Sequence, residues 1–185
     1  MASRILTVPN QLTLLRLAFL PFFVISVIYE RYDWALGLLV AAGISDALDG
    51  LLARRLNQKT ALGAYLDPIA DKLLLSSSFF VLALKGQIGW WLAILVLSRD
   101  VMILAVAAVV LATAGYRRFP PSIYGKAATL LQILLVLAVI AAEVFGDRAL
   151  ARAEVVLVYL VAAVTVLSGF HYAVLTARRL HAGGS

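Results

Sequence analysis

The 185-residue chain has no cysteine. Disulfides and thiolate metal sites are excluded, while the compartment stays open. Charge is also scarce. Asp, Glu, Lys and Arg make up 14% of residues, where a soluble domain carries about 25%. Alternation of apolar and polar residues is missing too, which argues against barrel strands. What the chain has instead is apolar length. It is 63% hydrophobic, with a mean hydropathy of +0.98. Apolar runs of roughly 20 residues, long enough to span a bilayer, recur from end to end. The expected class is an all-α integral membrane protein, folded as one membrane domain over residues 1–185. The formal net charge of +6 would suggest nucleic acid in a soluble protein. Here it fits cytoplasmic loops and anionic headgroups, with no nucleic-acid partner.

Six spans are expected, at about 10–29, 34–56, 61–84, 89–114, 122–144 and 152–177. The segments YERYD, RLNQKT, KGQIG, AGYRRFPPS and FGDRA separate them. The first run holds Arg16 and Pro21, continues to Tyr29 and lacks a small-x-small site. It is expected to be a retained helix and not a cleaved signal. An even number of spans puts both termini on one side. That side carries Arg4, Arg54, Arg55, Lys59, Arg117, Arg118, Lys126, Arg178 and Arg179. The other carries Arg31, Lys85, Arg148 and Arg152. The cation bias places both termini in the cytoplasm. A bacterial inner membrane suits so compact a chain. Trp34, Trp90 and Trp91 fall near the opposite helix ends, as interfacial anchors do.

Against this apolar background, residues 46–71 read DALDGLLARRLNQKTALGAYLDPIAD. Asp46 and Asp49 are spaced i, i+3 before the turn at residues 57–60, and Asp67 and Asp71 are spaced i, i+4 after it. Each pair lies on one helical face. Asp46 and Asp71 are equally far from the turn, and Asp49 and Asp67 nearly so. Facing helices would bring four carboxylates to one level, roughly 10–15 Å below the turn. Four converging anions need hydration, protons or cations. Bound metal is the economical solution. All-oxygen donors suit Mg2+, Mn2+ or Ca2+, and four carboxylates can serve two ions, as in phosphoryl chemistry. Gly50 and Gly63 beside the carboxylates permit close approach. Arg54 and Arg55 form a basic rim suited to phosphate. Neither Cys nor a nearby His offers a nucleophile.

The pattern Asp46-x2-Asp49-Gly50-x2-Ala53-Arg54-x8-Gly63-x3-Asp67-x3-Asp71 resembles the full signature of the CDP-alcohol phosphatidyltransferase family. Pro9-Asn10-x-Leu12-Thr13-x2-Arg16 resembles the family's opening to its first helix. The resemblance implies six transmembrane helices, usually a homodimer, with a site open to the cytoplasmic leaflet. It implies transfer of a substituted phosphate from a CDP-linked donor, here CDP-diacylglycerol, to an alcohol with release of CMP. Carried over by position, Asp46, Asp49, Asp67 and Asp71 would hold two divalent cations, Mg2+ or Mn2+. Asp71 would be the general base. Gly50, Ala53, Arg54 and Gly63 would line the CDP site.

The acceptor is addressed by two other segments. Ser98-Arg99-Asp100-Val101-Met102 resembles the corresponding stretch of mitochondrial-type cardiolipin synthases, and PPSIYGK resembles their Pro-x-x-x-x-Lys segment. Phosphatidylglycerol is therefore placed ahead of glycerol 3-phosphate, the acceptor of phosphatidylglycerophosphate synthases. Arg99, Arg117, Arg118 and Lys126 could bind the phosphate of either. Plainer readings compete. Arg99 and Asp100 could be an internal ion pair, Arg117 and Arg118 topology signals, and Lys72 a charge partner of Asp71. His171 is expected to pack or hydrogen-bond. A transporter or channel is the rival class, since intramembrane carboxylates also mark ion pathways. Clustering at one depth near one surface argues against it.

Overall fold

The structure is a computed structural model. It describes residues 8–56, 61–114 and 123–182, with side chains described for 14–45, 70, 72–105 and 123–170. All six elements are α-helices: α1 (Val8–Ile28), α2 (Tyr32–Leu56), α3 (Ala61–Leu84), α4 (Trp90–Ala114), α5 (Ile123–Phe145) and α6 (Arg148–Ala182). No strand occurs among the described residues. Two stretches there are long and apolar enough to cross a membrane, Ile123–Phe145 and Arg148–Phe170. Shorter apolar stretches, Leu14–Ile28, Tyr32–Ser45 and Lys72–Leu84, lie in α1 to α3. The last helix starts four residues before its expected position. Asp147 causes this: its side chain accepts a 2.7 Å hydrogen bond from the Ala149 N–H and caps the first turn. Gly146, at φ 62°, ends α5 just before it.

Two compact units divide the chain, Met1–Gln87 with Ile140–Gly146, and Ile88–Val139 with Asp147–Ser185. In the first, α1 packs against both α2 and α3. The ends of α1 and α3 are closed in the same way. Arg31 N–H donates to Ser26 C=O and Glu30 N–H to Val27 C=O. Gln87 N–H likewise donates to Leu82 C=O and Gly86 N–H to Ala83 C=O. Both are Schellman ends with a left-handed residue after the last turn. Gly86 takes that place at φ 75° without strain, whereas Glu30 takes it at φ 59°. A cross-tie accompanies the strain. Lys85 Nζ donates to Glu30 Oε1 at 2.6 Å and to Ile28 C=O at 3.3 Å. Gln87 Nε2 donates to the Tyr32 hydroxyl at 3.1 Å. The hydrogen bond to Lys85, and then its charge, hold the Glu30 carboxyl below its ordinary value. Glu30 in turn raises the Lys85 ammonium.

In the second unit α4 packs against α6. Leu92, Ala93 and Val96 of α4 and Val161 of α6 are buried. One turn further along each stripe the buried residues become polar: Arg99 and Asp100 on α4, Thr165 and Ser168 on α6.

Candidate active site

In the first unit the helices bury stripes at heptad-like spacing. On α2 the stripe is Ala35, Leu39 and Ala42, and Asp46 and Asp49 occupy its next two positions. On α3, reading back from Leu82, it is Ser78 and Leu75, and Asp71 and Asp67 come next. The positions immediately before two of the aspartates, Ser45 and Ala70, are buried. The four aspartates thus continue, in register, the faces that the two helices bury. Their own side chains lie outside the described set.

The same stripe exists on α1. Val27 and Phe23 are buried, and so is Arg16, which is only 2% exposed. Arg16 lies 12 residues before Ile28, Asp46 14 after Tyr32, and Asp71 13 before Leu84. Lys85 ties the end of α3 to that of α1 and Gln87 ties it to Tyr32 of α2, which holds these three helix ends at a common level. At the helical rise, all three residues are about 18–21 Å from that level. In the sequence Arg16 stands out only as a charge in the first apolar run and as part of the opening motif. Its signal was the spacing Arg16, Leu20, Phe23, Val27, which continues an apolar face.

Of the other candidate residues, Gly50, Ala53 and Arg54 lie on α2 and Gly63 on α3. Arg117 and Arg118 fall outside the described residues. Lys126 is exposed in the first turn of α5. Arg99 is buried, and both of its terminal nitrogens are engaged. Nη1 donates to Asp100 Oδ1 at 2.7 Å and Nη2 to Ser168 Oγ at 2.9 Å. Its Nε–H has no hydrogen-bond partner. Arg99, with Ser98 and Thr165, borders a groove of about 410 Å³ between α4 and α6, walled by Leu95, Met102, Val166 and Phe170. Ser168 was not foreseen, because 69 residues separate it from Arg99. Trp34, Trp90 and Trp91 are exposed, as membrane-facing anchors would be. Among the described residues no group of His, Asp and Glu side chains could hold a metal ion. The donor set that would do so, four carboxylates at helical spacing, suits hard divalent ions.

A family model described as CDP-alcohol phosphatidyltransferase matches residues 6–167. The chain is 39% identical over 133 residues to a Streptomyces coelicolor protein named cardiolipin synthase (CMP-forming), covering 69% of this chain and 61% of that one. It is 35% identical over 160 residues to the Homo sapiens cardiolipin synthase (CMP-forming), covering 76% and 52%. It is 36% identical over 140 residues to a Mycobacterium tuberculosis protein named "Probable phosphatidylglycerophosphate synthase", covering 72% and 66%. The chain spans about three-fifths of the length of the curated relatives it matches.

Proposed function

The chain belongs to the CDP-alcohol phosphatidyltransferase family, and from that premise we propose that it moves a phosphatidyl group from CDP-diacylglycerol to a glycerol-type hydroxyl. One observation carries the reading. The family match spans residues 6–167, and its aspartates continue the buried stripes of α2 and α3. In the reaction the acceptor oxygen attacks the phosphatidyl phosphorus, the bond to the CMP oxygen breaks, and CMP leaves. Asp71 takes the proton from the acceptor hydroxyl. Asp46, Asp49, Asp67 and Asp71 would hold two divalent cations, Mg2+ or Mn2+. These supply charge neutralisation at the pyrophosphate and at the leaving group. Gly50, Ala53, Arg54 and Gly63 line the donor site. Arg99, Arg117, Arg118 and Lys126 serve the acceptor's phosphate. For Arg99 the Nε–H is one donor without a protein partner.

The acceptor we favour is phosphatidylglycerol, giving cardiolipin. Support comes from the Ser98–Met102 and PPSIYGK segments and from relatives named cardiolipin synthase. Glycerol 3-phosphate is the second reading, supported by the relative named for phosphatidylglycerophosphate synthesis. The setting we propose is one membrane domain of six spans with both termini and the site cytoplasmic, in a bacterial inner membrane, as a homodimer. An ion pathway is not favoured, because it gives no account of the family match.

An acceptor panel tests the reading. Purified protein, CDP-diacylglycerol and Mg2+ are incubated with each alcohol, and products are weighed by lipid mass analysis. A four-chain product supports phosphatidylglycerol, and a phosphomonoester supports glycerol 3-phosphate. No CMP release with either would sink the assignment. Asp71→Asn should lower turnover by at least roughly 100-fold while donor binding is largely kept. Wild-type turnover in this variant would remove Asp71 as base.

A further inference from the structure

Among the described residues, Arg16 is the buried cation of the first unit that the proposed chemistry leaves without a role. A guanidinium does not give up its proton in a protein, so its charge must be balanced where it sits. An unbalanced charge in an apolar helix pack costs several kcal/mol. The carboxylates available within this unit are few. Glu30, Asp33 and Glu143 are all exposed, and the first two sit at the opposite end of the helices. The remaining acids of the unit are Asp46, Asp49, Asp67 and Asp71.

Two observations join Arg16 to them. It occupies the buried stripe of α1, and α1 is the helix that packs on both α2 and α3. Its distance from the tied helix ends also matches theirs. Counted from that level, 12 residues reach Arg16, 14 reach Asp46 and 13 reach Asp71, a spread of about 3 Å.

We infer that Arg16 is the built-in counter-charge of the inner carboxylates Asp46 and Asp71, a positioning residue that holds them together when no divalent cation is bound. The inference rests on the proposed metal site for its consequence, but not for the pairing itself. A fixed cation at this level lowers repulsion among the carboxylates in the empty site. It also competes with incoming ions, because like charges repel across the same short distance. Removing it therefore has two opposite effects. The ion-free protein loses stability, and divalent ions bind more tightly.

Thermal unfolding of the full-length protein in detergent, with EDTA or with saturating Mn2+, reads both effects. The Mn2+ affinity is measured alongside by the loss of the free-ion resonance signal. Arg16→Met should unfold roughly 6–15 °C lower in EDTA, regain more than half of that loss in Mn2+, and bind Mn2+ roughly tenfold more tightly. Arg16→Lys, which keeps the charge, should stay near wild type in both conditions. Arg16→Gln replaces the Met variant if that one does not fold. An equal loss with and without Mn2+, with unchanged affinity, would show that Arg16 only packs or pairs elsewhere. A double-mutant cycle in EDTA isolates the pairing from the metal. The losses of Arg16→Met and Asp71→Asn, or Arg16→Met and Asp46→Asn, should fall well short of additive. Additive losses in both cycles overturn the inference. Non-additive cycles in a protein that binds no Mn2+ would keep the counter-charge and discard the metal site.

Discussion

Two ion pairs of nearly equal length mark the two units, and they do different work. Glu30 and Lys85 meet at 2.6 Å with side chains 67% and 23% exposed. Arg99 and Asp100 meet at 2.7 Å with side chains 5% and 3% exposed. Water screens the first pair, so its direct contribution is small. Its use is geometric: it ties the end of α3 to the α1–α2 turn. The second pair has surrendered its hydration. Its attraction is stronger, but so is the penalty it offsets, and the net gain over an apolar pair is small or negative. What it secures is specificity, because Arg99 also donates to Ser168 on another helix. Contact distance alone does not tell these cases apart, whereas burial does.

Asp100→Ala gives the sharpest test of that contrast. It strands a buried guanidinium and should cost about 3–5 kcal/mol in unfolding experiments. Replacing Arg99 and Asp100 together by leucine should restore much of that stability while any acceptor-side function is lost. A double variant no better than Asp100→Ala would contradict the contrast. Ser168→Ala comes next. It removes one hydrogen bond to a charged donor and should cost about 1.5–3 kcal/mol, read by the same denaturation curves.

On the exposed side, Gly86→Ala should cost about 1–2 kcal/mol, since Gly86 holds φ 75° and alanine is strained there. Open space surrounds its missing Cβ, so the loss would be backbone strain and not a clash. Breaking the Glu30–Lys85 bridge should have the smallest effect and should fade in high salt. Its pH dependence has a definite sign. Glu30 is held below its ordinary value of 4.5, so its contribution is present above that pH and is lost as pH falls through the lower, folded value. Lys85 is raised above 10.5, so its contribution is present below that pH and is lost as pH rises through the higher, folded value. Glu30→Gln should flatten the acid limb of a stability profile. An unchanged acid limb would show that the bridge does not contribute.

Much of the architecture was readable from residue order. Long apolar runs specify helices because no other structure satisfies a lipid-facing backbone within one segment. Gly86 and Gly146 announced helix ends because glycine enters the left-handed region freely. The end of α1 carries no such signal: Glu30 takes the same geometry, and no local preference for glutamate announces it. The early start of α6 has a weaker signal, since Asp147 reads as a separator until its side chain is seen capping Ala149.

For the candidate site the division is similar. The sequence by itself determined the helices, the four aspartates, and their matched distances from residues 57–60. It also carried the match to the family over residues 6–167. These are local facts, settled by a rise of about 1.5 Å per residue and a period of 3.6. Only the tertiary structure decided that α1 lies against both α2 and α3, that Arg16 is buried, and that Arg99 is engaged by Ser168. Which helix face meets which neighbour depends on free energies summed over many distant contacts, and no short stretch of the chain encodes that sum.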